Sequence, residues 1–204
     1  WFYQVNAESY KSINLHGIHV DMNGSVYATG FFTGNVQIGS NSLSSSETNN
    51  LFYLKLDNSG QVQLAGSYDN GMNSGHGKKI LTDQNNDIYI LSHNDIIKLD
   101  ASGNVVWEIS ENEYFNDFLL LNSKLYYIGY TQSANDSIGS ATYSGTFSYN
   151  DLFIAKSDLN GNFSMVRLPQ HYSSNGESMA HQMSADGNNN IYLTGHLGED
   201  LVMD

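Results

Sequence analysis

Glu108, Glu111 and Glu113, with Asp117 close behind, form the densest run of carboxylates in the chain. Two carboxylates facing each other across a sugar are what glycoside hydrolysis requires, so hydrolytic chemistry would be sought here first. The competing reading is a solvated edge that follows an outer strand, and it is the one preferred. The seven His residues are scattered. His16 and His19 lie three apart, which on a regular strand puts them on opposite faces, and there is no His-Glu-x-x-His pattern. A metal site built from His76, His93, His171, His181 or His196 needs a convergence that spacing does not supply. Neither a Gly-x-Ser-x-Gly elbow nor a phosphate-binding glycine loop occurs. The segment Gly71-Met72-Asn73-Ser74-Gly75-His76-Gly77 is glycine-rich but fits neither motif, and reads as a linker. No catalytic, cofactor-binding or metal-ligating residue is therefore assigned.

Two further residue types recur with chemistry attached. Asp21-Met22-Asn23-Gly24, Asp57-Asn58-Ser59-Gly60, Asp100-Ala101-Ser102-Gly103 and Asp158-Leu159-Asn160-Gly161 superficially resemble calcium loops. They lack the alternate oxygen ligands and the closing Glu of an EF-hand. Turn chemistry accounts for them instead, with Asp accepting backbone N–H bonds and Gly supplying positive φ. Asp83-Gln84-Asn85-Asn86 and Asp186-Gly187-Asn188-Asn189 hold the same place before a Tyr strand. Calcium at these loops is the one cofactor kept open. Lys55, Lys98 and Lys156 each precede a turn Asp by two residues, a spacing that suits a structural ion pair or an edge-capping Lys better than an anion-binding ring.

Composition narrows the classes. Of 204 residues, 8 are Lys or Arg and 21 are Asp or Glu, giving a net charge of −13. That charge repels phosphate backbones, so nucleic acid and anionic membranes are not expected partners. With no Cys, thiolate metal sites, disulfides and thiol redox chemistry are excluded. No apolar run is long enough to span a bilayer as a helix. The 14 Tyr and 9 Phe supply a substantial core.

The elements that would position these residues are strands. Ser25-Val26-Tyr27-Ala28-Thr29-Gly30 returns as Asp87–Ser92, Lys124–Gly129 and Asn190–Gly195, interleaved with Leu54-Lys55-Leu56-Asp57, Ile97-Lys98-Leu99-Asp100 and Ala155-Lys156-Ser157-Asp158. Recurrence at this scale marks a repeat architecture. Apolar character is nearly continuous in Leu51–Leu54, Phe118–Leu121 and Leu152–Ala155, as expected of strands covered on both faces. Four copies are delimited at about 12–70, 75–111, 114–169 and 177–204, with residues 1–6 as the outer strand of a preceding or closing unit. The second copy lacks a middle section of about 20 residues that the first and third possess. These sections, 31–50 and 130–150, are read as the outer half of an ordinary four-stranded unit. The alternative is an extra hairpin presenting Phe31, Phe32, Tyr143, Phe147 and Tyr149 for recognition. Both ends fall inside a copy, so the chain is expected to be a section of a longer protein, or else a small closed ring.

The pattern Asp-x-x-Gly-x-Val-Tyr-x-Thr-Gly, then Phe-x-Gly-x-Val-x-Ile-Gly, then Leu-Phe-x-x-Lys-x-Asp-x-x-Gly resembles bacterial repeats of the seven-bladed β-propeller (SBBP) type. It runs here through Asp21, Gly24, Val26, Tyr27, Thr29 and Gly30, then Phe32, Gly34, Val36, Ile38 and Gly39, then Leu51, Phe52, Lys55, Asp57 and Gly60. The third copy matches through Tyr126, Gly129, Ile138, Gly139, Leu152, Phe153, Lys156, Asp158 and Gly161. The second departs by losing the middle section, and Phe118–Leu121 departs from the Asp-rich turn. The resemblance implies an all-β fold: a β-propeller section of three to four blades, each an antiparallel sheet. It implies a non-enzymatic module, secreted or at the cell surface and exported by a type IX route, that binds protein or glycan. A structural spacer or surface-assembly subunit, and a polysaccharide-acting propeller enzyme, are the alternatives. The family carries no shared catalytic residues.

Overall fold

The computed structural model describes residues 3–7, 11–45, 49–69, 75–111, 113–132, 135–144, 151–167, 170–171, 178–197 and 201–202. Among them there is no helix, and none that is long and apolar enough to cross a membrane. The chain divides into two compact units, Trp1–Val106 and Trp107–Asp204.

The first unit runs β1 (Asn6–Ala7), β2 (Ile13–Val20), β3 (Val26–Phe32), β4 (Asn35–Ile38), β5 (Asn41–Ser44), β6 (Asn50–Leu56), β7 (Val62–Tyr68), β8 (Lys79–Thr82), β9 (Ile88–Leu91) and β10 (Asp95–Leu99). β11 (Val105–Ser110) carries the chain into the second unit. There follow β12 (Tyr114–Leu121), β13 (Lys124–Thr131), β14 (Asn135–Ile138), β15 (Ala141–Ser144), β16 (Asp151–Ser157), β17 (Phe163–Arg167), β18 (Gln170–His171), β19 (Ser178–Ala185), β20 (Ile191–Leu197) and β21 (Leu201–Val202). Four-stranded antiparallel sheets form in the orders β2-β3-β6-β7, β8-β9-β10-β11 and β12-β13-β16-β17, and β19 pairs with β20.

The middle sections of the first and third copies are not the outer half of a sheet, contrary to the sequence reading. β4–β5 and β14–β15 are separate hairpins inserted between the second and third strands, and the second sheet reaches four strands without one. Its β9 and β10 are joined by the short turn Ser92-His93-Asn94, in which the Ser92 N–H donates to the Asp95 carbonyl. Each inserted hairpin turns on two residues led by glycine, Gly39 at φ +59° and Gly139 at +56°, a geometry that matches strand twist. Asn6 and Ala7 pair with Gln37 and Val36 of β4 just as Gln170 and His171 pair with Val202 and Leu201. Residues 3–5 carry no strand, and Trp1 and Phe2 lie outside the described residues, as do Phe147 and Tyr149.

The Asp turns share one hydrogen-bond pattern. Oδ1 of Asp21, Asp57, Asp83, Asp100, Asp158 and Asp186 accepts the backbone N–H groups two and four residues on, at 2.8–3.0 Å. The second oxygen accepts a side chain from the same hairpin. Before Tyr strands a donor is the tyrosine hydroxyl, at 3.1 Å for Tyr89 to Asp83 and 3.0 Å for Tyr192 to Asp186, where the Asn190 amide also donates at 2.8 Å. Elsewhere it is an amide, from Gln63, Asn104 or Asn162. Where the fourth residue is not Gly, Asn86 (φ 63°) and Asn189 (φ 67°) take the left-handed conformation, which Asn tolerates better than other side chains. The exceptional β12–β13 turn uses Asn122 and Ser123, both at positive φ.

Strand interiors are covered on both faces, as the continuous apolar runs predict. On β6, Leu51 and Tyr53 pack with Ile80, Ile88, Ile90, Ile97 and Leu99, while Phe52, Leu54 and Leu56 pack with Ala28, Phe32, Val36 and Ile38. In the second unit Ile128 and Leu152 pack with Ala180 and Met183.

The Gly that ends each Tyr phrase has a single cause. Opposite it the first strand of the sheet bulges, adding His16 between Leu15 and Gly17, Asn116 between Phe115 and Asp117, and His181 between Ala180 and Gln182. Gly30, Gly129 and Gly195 pair there, and a Cβ on any of them would collide with the carbonyl oxygen of Asn14, Tyr114 or Met179 respectively. After β9, which pairs with the unbulged β8, Ser92 follows Leu91 at the corresponding place.

Candidate functional site

The β2 bulge has a consequence for the histidines. An extra residue breaks the two-residue alternation, so adjacent positions turn toward the same neighbour. The His16 ring stacks on His76 with centroids 6.2 Å apart, and His19 Nε2 lies 3.1 Å from Thr82 Oγ1. Both imidazoles thus reach β8 or the segment leading into it, and the expectation of opposite faces fails because the strand is not regular.

Around His16 a half-exposed cluster assembles within the first unit. Phe31, paired with Asn14 across β2 and β3, lies 5.3 Å from His16 and 4.2 Å from His76 between ring centroids. The three rings form a triangle. Asn49 Nδ2 lies 3.0 Å from His76 Nε2. The segment bearing His76 is pinned on both sides: Gly75 N–H donates to the Asn49 carbonyl and Gly77 N–H to the Gly30 carbonyl. Only glycine fits at 77, because a Cβ would strike Thr29 Oγ1. The glycine-rich stretch read as a linker therefore ends in a fixed support for His76, its residues 71–74 lying outside the described ones.

Burial holds the His76 imidazole below its ordinary pKa, with His16 and Lys78 adding to the effect. Burial, then Lys78 and His76, does the same to His93, which sits in the β9–β10 turn, while Asp95 opposes. Burial also lowers Lys78. Neutral imidazoles present one donor and one acceptor each. Beside the Phe31 ring and the Asn49 carboxamide, that of His76 suits a neutral polyhydroxylated ligand, whose C–H faces pack on rings while its hydroxyls hydrogen-bond. Among the described residues no group of three or more His, Asp or Glu is placed to hold a metal ion.

The carboxylate run is dispersed. Glu108 accepts from Ser110 Oγ, and Glu111 accepts the Gly139 N–H at 2.7 Å, which ties β14–β15 in place. Glu113 is buried, with Oε1 accepting the Tyr143 hydroxyl at 2.7 Å; that hydroxyl also lies 2.8 Å from Thr131 Oγ1. Asp117 is buried too. Its Oδ1 accepts the Phe118 N–H and its Oδ2 the Met183 N–H, each at 2.8 Å. The solvated-edge reading is thus corrected for Glu113 and Asp117, because the bulge at Asn116 and the inserted hairpin enclose them.

The other candidates also have structural partners. Of the aromatics named for recognition in the inserted sections, Tyr143 and Phe32 are buried in the core and Phe31 is half-exposed. Lys98 Nζ pairs at 2.9 Å with Asp87 on the neighbouring hairpin rather than with Asp100, and lies over the Tyr89 ring; Lys55 lies over Tyr27. These Lys stand on strands paired on both sides, so they cap no edge. His181 is exposed on β19, His196 on β20, and the side chain of His171 lies outside what is described.

No protein-family model matches the chain, and no curated protein matches it. Among solved structures it is similar to the extracellular domain of a hybrid two-component system protein from B. thetaiotaomicron, at 13% identity and a TM-score of 0.31. The match covers 98% of this chain, which spans 39% of that one.

Proposed function

We propose that the chain is a non-enzymatic, extracellular or cell-surface module, built as a section of β-propeller, that binds glycan at the imidazole–phenyl surface of its first unit. The observation that carries this reading is the triangle of His16, Phe31 and His76, with Asn49 on the His76 ring. Its rings are supported by strands β2 and β3 and a pinned backbone rather than by a loop, as pre-organised recognition requires. A chain rich in Asn, Ser, Gly and Tyr with few Lys accords with an extracellular setting. The reading is tested on a glycan array probed with the intact chain and with Phe31→Ala. Binding to a related group of glycans, lost in the variant, supports it. A clean negative across the array, or binding that Phe31→Ala leaves intact, overturns the glycan assignment and leaves protein as the ligand class.

A further inference from the structure

Phe31 follows the recurring Gly30, and the residue at that place is a ring in every copy: His93 after Ser92, Tyr130 after Gly129 and His196 after Gly195. None of the four is buried. The next residue along the strand is different, with Phe32 and Thr131 at 0% and 1% exposure. A single exposed ring needs no explanation. A ring at one place in every copy, outside the core, is not accounted for by packing.

In the second unit the surface around Phe31 has a counterpart. Tyr130 pairs with Tyr114 across β12 and β13 in the register that pairs Phe31 with Asn14 across β2 and β3. The two Tyr rings are stacked, with centroids 4.8 Å apart and planes 10° from parallel. Asn116 bulges from β12 at the place that His16 holds in β2, where His16 meets Phe31. Its Nδ2 donates to the Ala180 carbonyl, which fixes the carboxamide and leaves Oδ1 to accept. Asn116 and Asp117 both bond to β19, so the two rings stay half-exposed with the neighbouring sheet of their own unit in place. The Tyr130 hydroxyl has no hydrogen-bond partner among the described residues. Burial, and then Tyr114, raises its pKa, so it remains a donor at neutral pH. A cross-strand ring pair by itself stabilises a sheet. Here the flat face also carries a hydroxyl donor beside an amide acceptor, the combination that a sugar ring engages.

We propose that Tyr114 and Tyr130, with Asn116, form a second glycan-binding site, so that one chain takes two glycan ligands, one in each unit. The proposal rests on the glycan reading of the first site. The second site is the weaker of the two, because it offers one carboxamide and tyrosine hydroxyls where the first offers two imidazoles and a carboxamide. Its affinity is expected to be about tenfold lower, the equivalent of roughly one hydrogen bond. At concentrations that fill only the tighter site, binding still depends on Phe31.

The test is an NMR titration of the intact chain, isotopically labelled at His and Tyr, with the free oligosaccharide form of a glycan that it binds on the array. The His76 ring signals are expected to saturate first, and the Tyr114 and Tyr130 ring signals to follow in a second phase. Tyr130→Ala removes the Tyr114 shift and leaves the His76 phase. Tyr130→Phe keeps the ring and weakens the second phase by less. Phe31→Ala weakens the first phase and leaves the second. Circular dichroism checks that each variant folds; the wild-type titration and Tyr130→Phe decide the matter if the alanine variant does not. Tyr signals that stay still well past saturation of His76 overturn the second site and leave the first standing. So do Tyr shifts that follow the His76 phase and weaken with it in Phe31→Ala. A wild-type chain that binds nothing on the array overturns the first site, and this one with it.

Discussion

Asp117 Oδ2 accepts the backbone N–H of Met183 at 2.8 Å, joining β12 to β19 through a buried carboxylate. Its neighbour Asn116 makes a second link, donating from Nδ2 to the Ala180 carbonyl at 2.7 Å. Both reach β19 because the bulge turns adjacent residues to one side. Asp117→Ala leaves the Met183 N–H without its acceptor and is expected to lower unfolding free energy by about 1–3 kcal/mol. Asp117→Asn keeps an acceptor and loses less. Urea denaturation of the two variants beside wild type measures the difference, and equal midpoints would remove Asp117 from the link.

Gly129 stands where a Cβ would meet the Tyr114 carbonyl oxygen, whereas a Cβ on Gly187 meets nothing within 4 Å. Gly129→Ala is therefore expected to cost about 1–3 kcal/mol, the range for forced overpacking. Gly187→Ala should stay within about 0.5 kcal/mol of wild type. Thermal unfolding of the pair checks this; similar losses in both would detach the recurring Gly from the bulge.

Acid should weaken the fold in two stages. Burial depresses His76 and His93, with His16, Lys78 and Asp95 facing them, and burial also depresses His19 beside Asp21 and Lys79. As pH falls below 6.5, the unfolded chain takes up protons that the folded imidazoles refuse, so stability drops until the lowered folded pKa values are reached. A further loss begins near the ordinary Asp pKa of 3.8. There the turn carboxylates must be protonated: Asp57, held low first by the Ser59 hydroxyl, and Asp100, Asp158 and Asp186, held low first by the side-chain amides of Asn104, Asn162 and Asn190, Asp186 to about 2. Urea midpoints at a series of pH values follow both stages. A midpoint that rises between pH 6.5 and 5 contradicts the first.

Much of this was readable from local pattern. The Asp turns and Tyr strands are short-range devices, and their donors and acceptors lie within six residues of each other. The continuous apolar runs announced burial on two faces. What sequence concealed depends on register. A bulge leaves no mark beyond the Gly opposite it, yet it sends His16 and His19 toward one neighbour and encloses Asp117. The inserted hairpin was misread because its Val36-x-Ile38 alternation suits any half-covered strand, whether it joins the main sheet or pairs instead with Asn6 and Ala7. The convergence of Phe31 and His76 needed both the bulge and the Gly77 contact, neither of which has a sequence signal of its own.

The recognition surface is tested most directly by titrating an array-identified glycan into protein isotopically labelled at His and Phe, observed by NMR. The account predicts that the His16, His76 and Phe31 ring signals move first and saturate together. It also predicts that Phe31→Ala weakens affinity about tenfold, the equivalent of roughly 1.4 kcal/mol. Shifts confined to other residues, with wild-type affinity in Phe31→Ala, would contradict it.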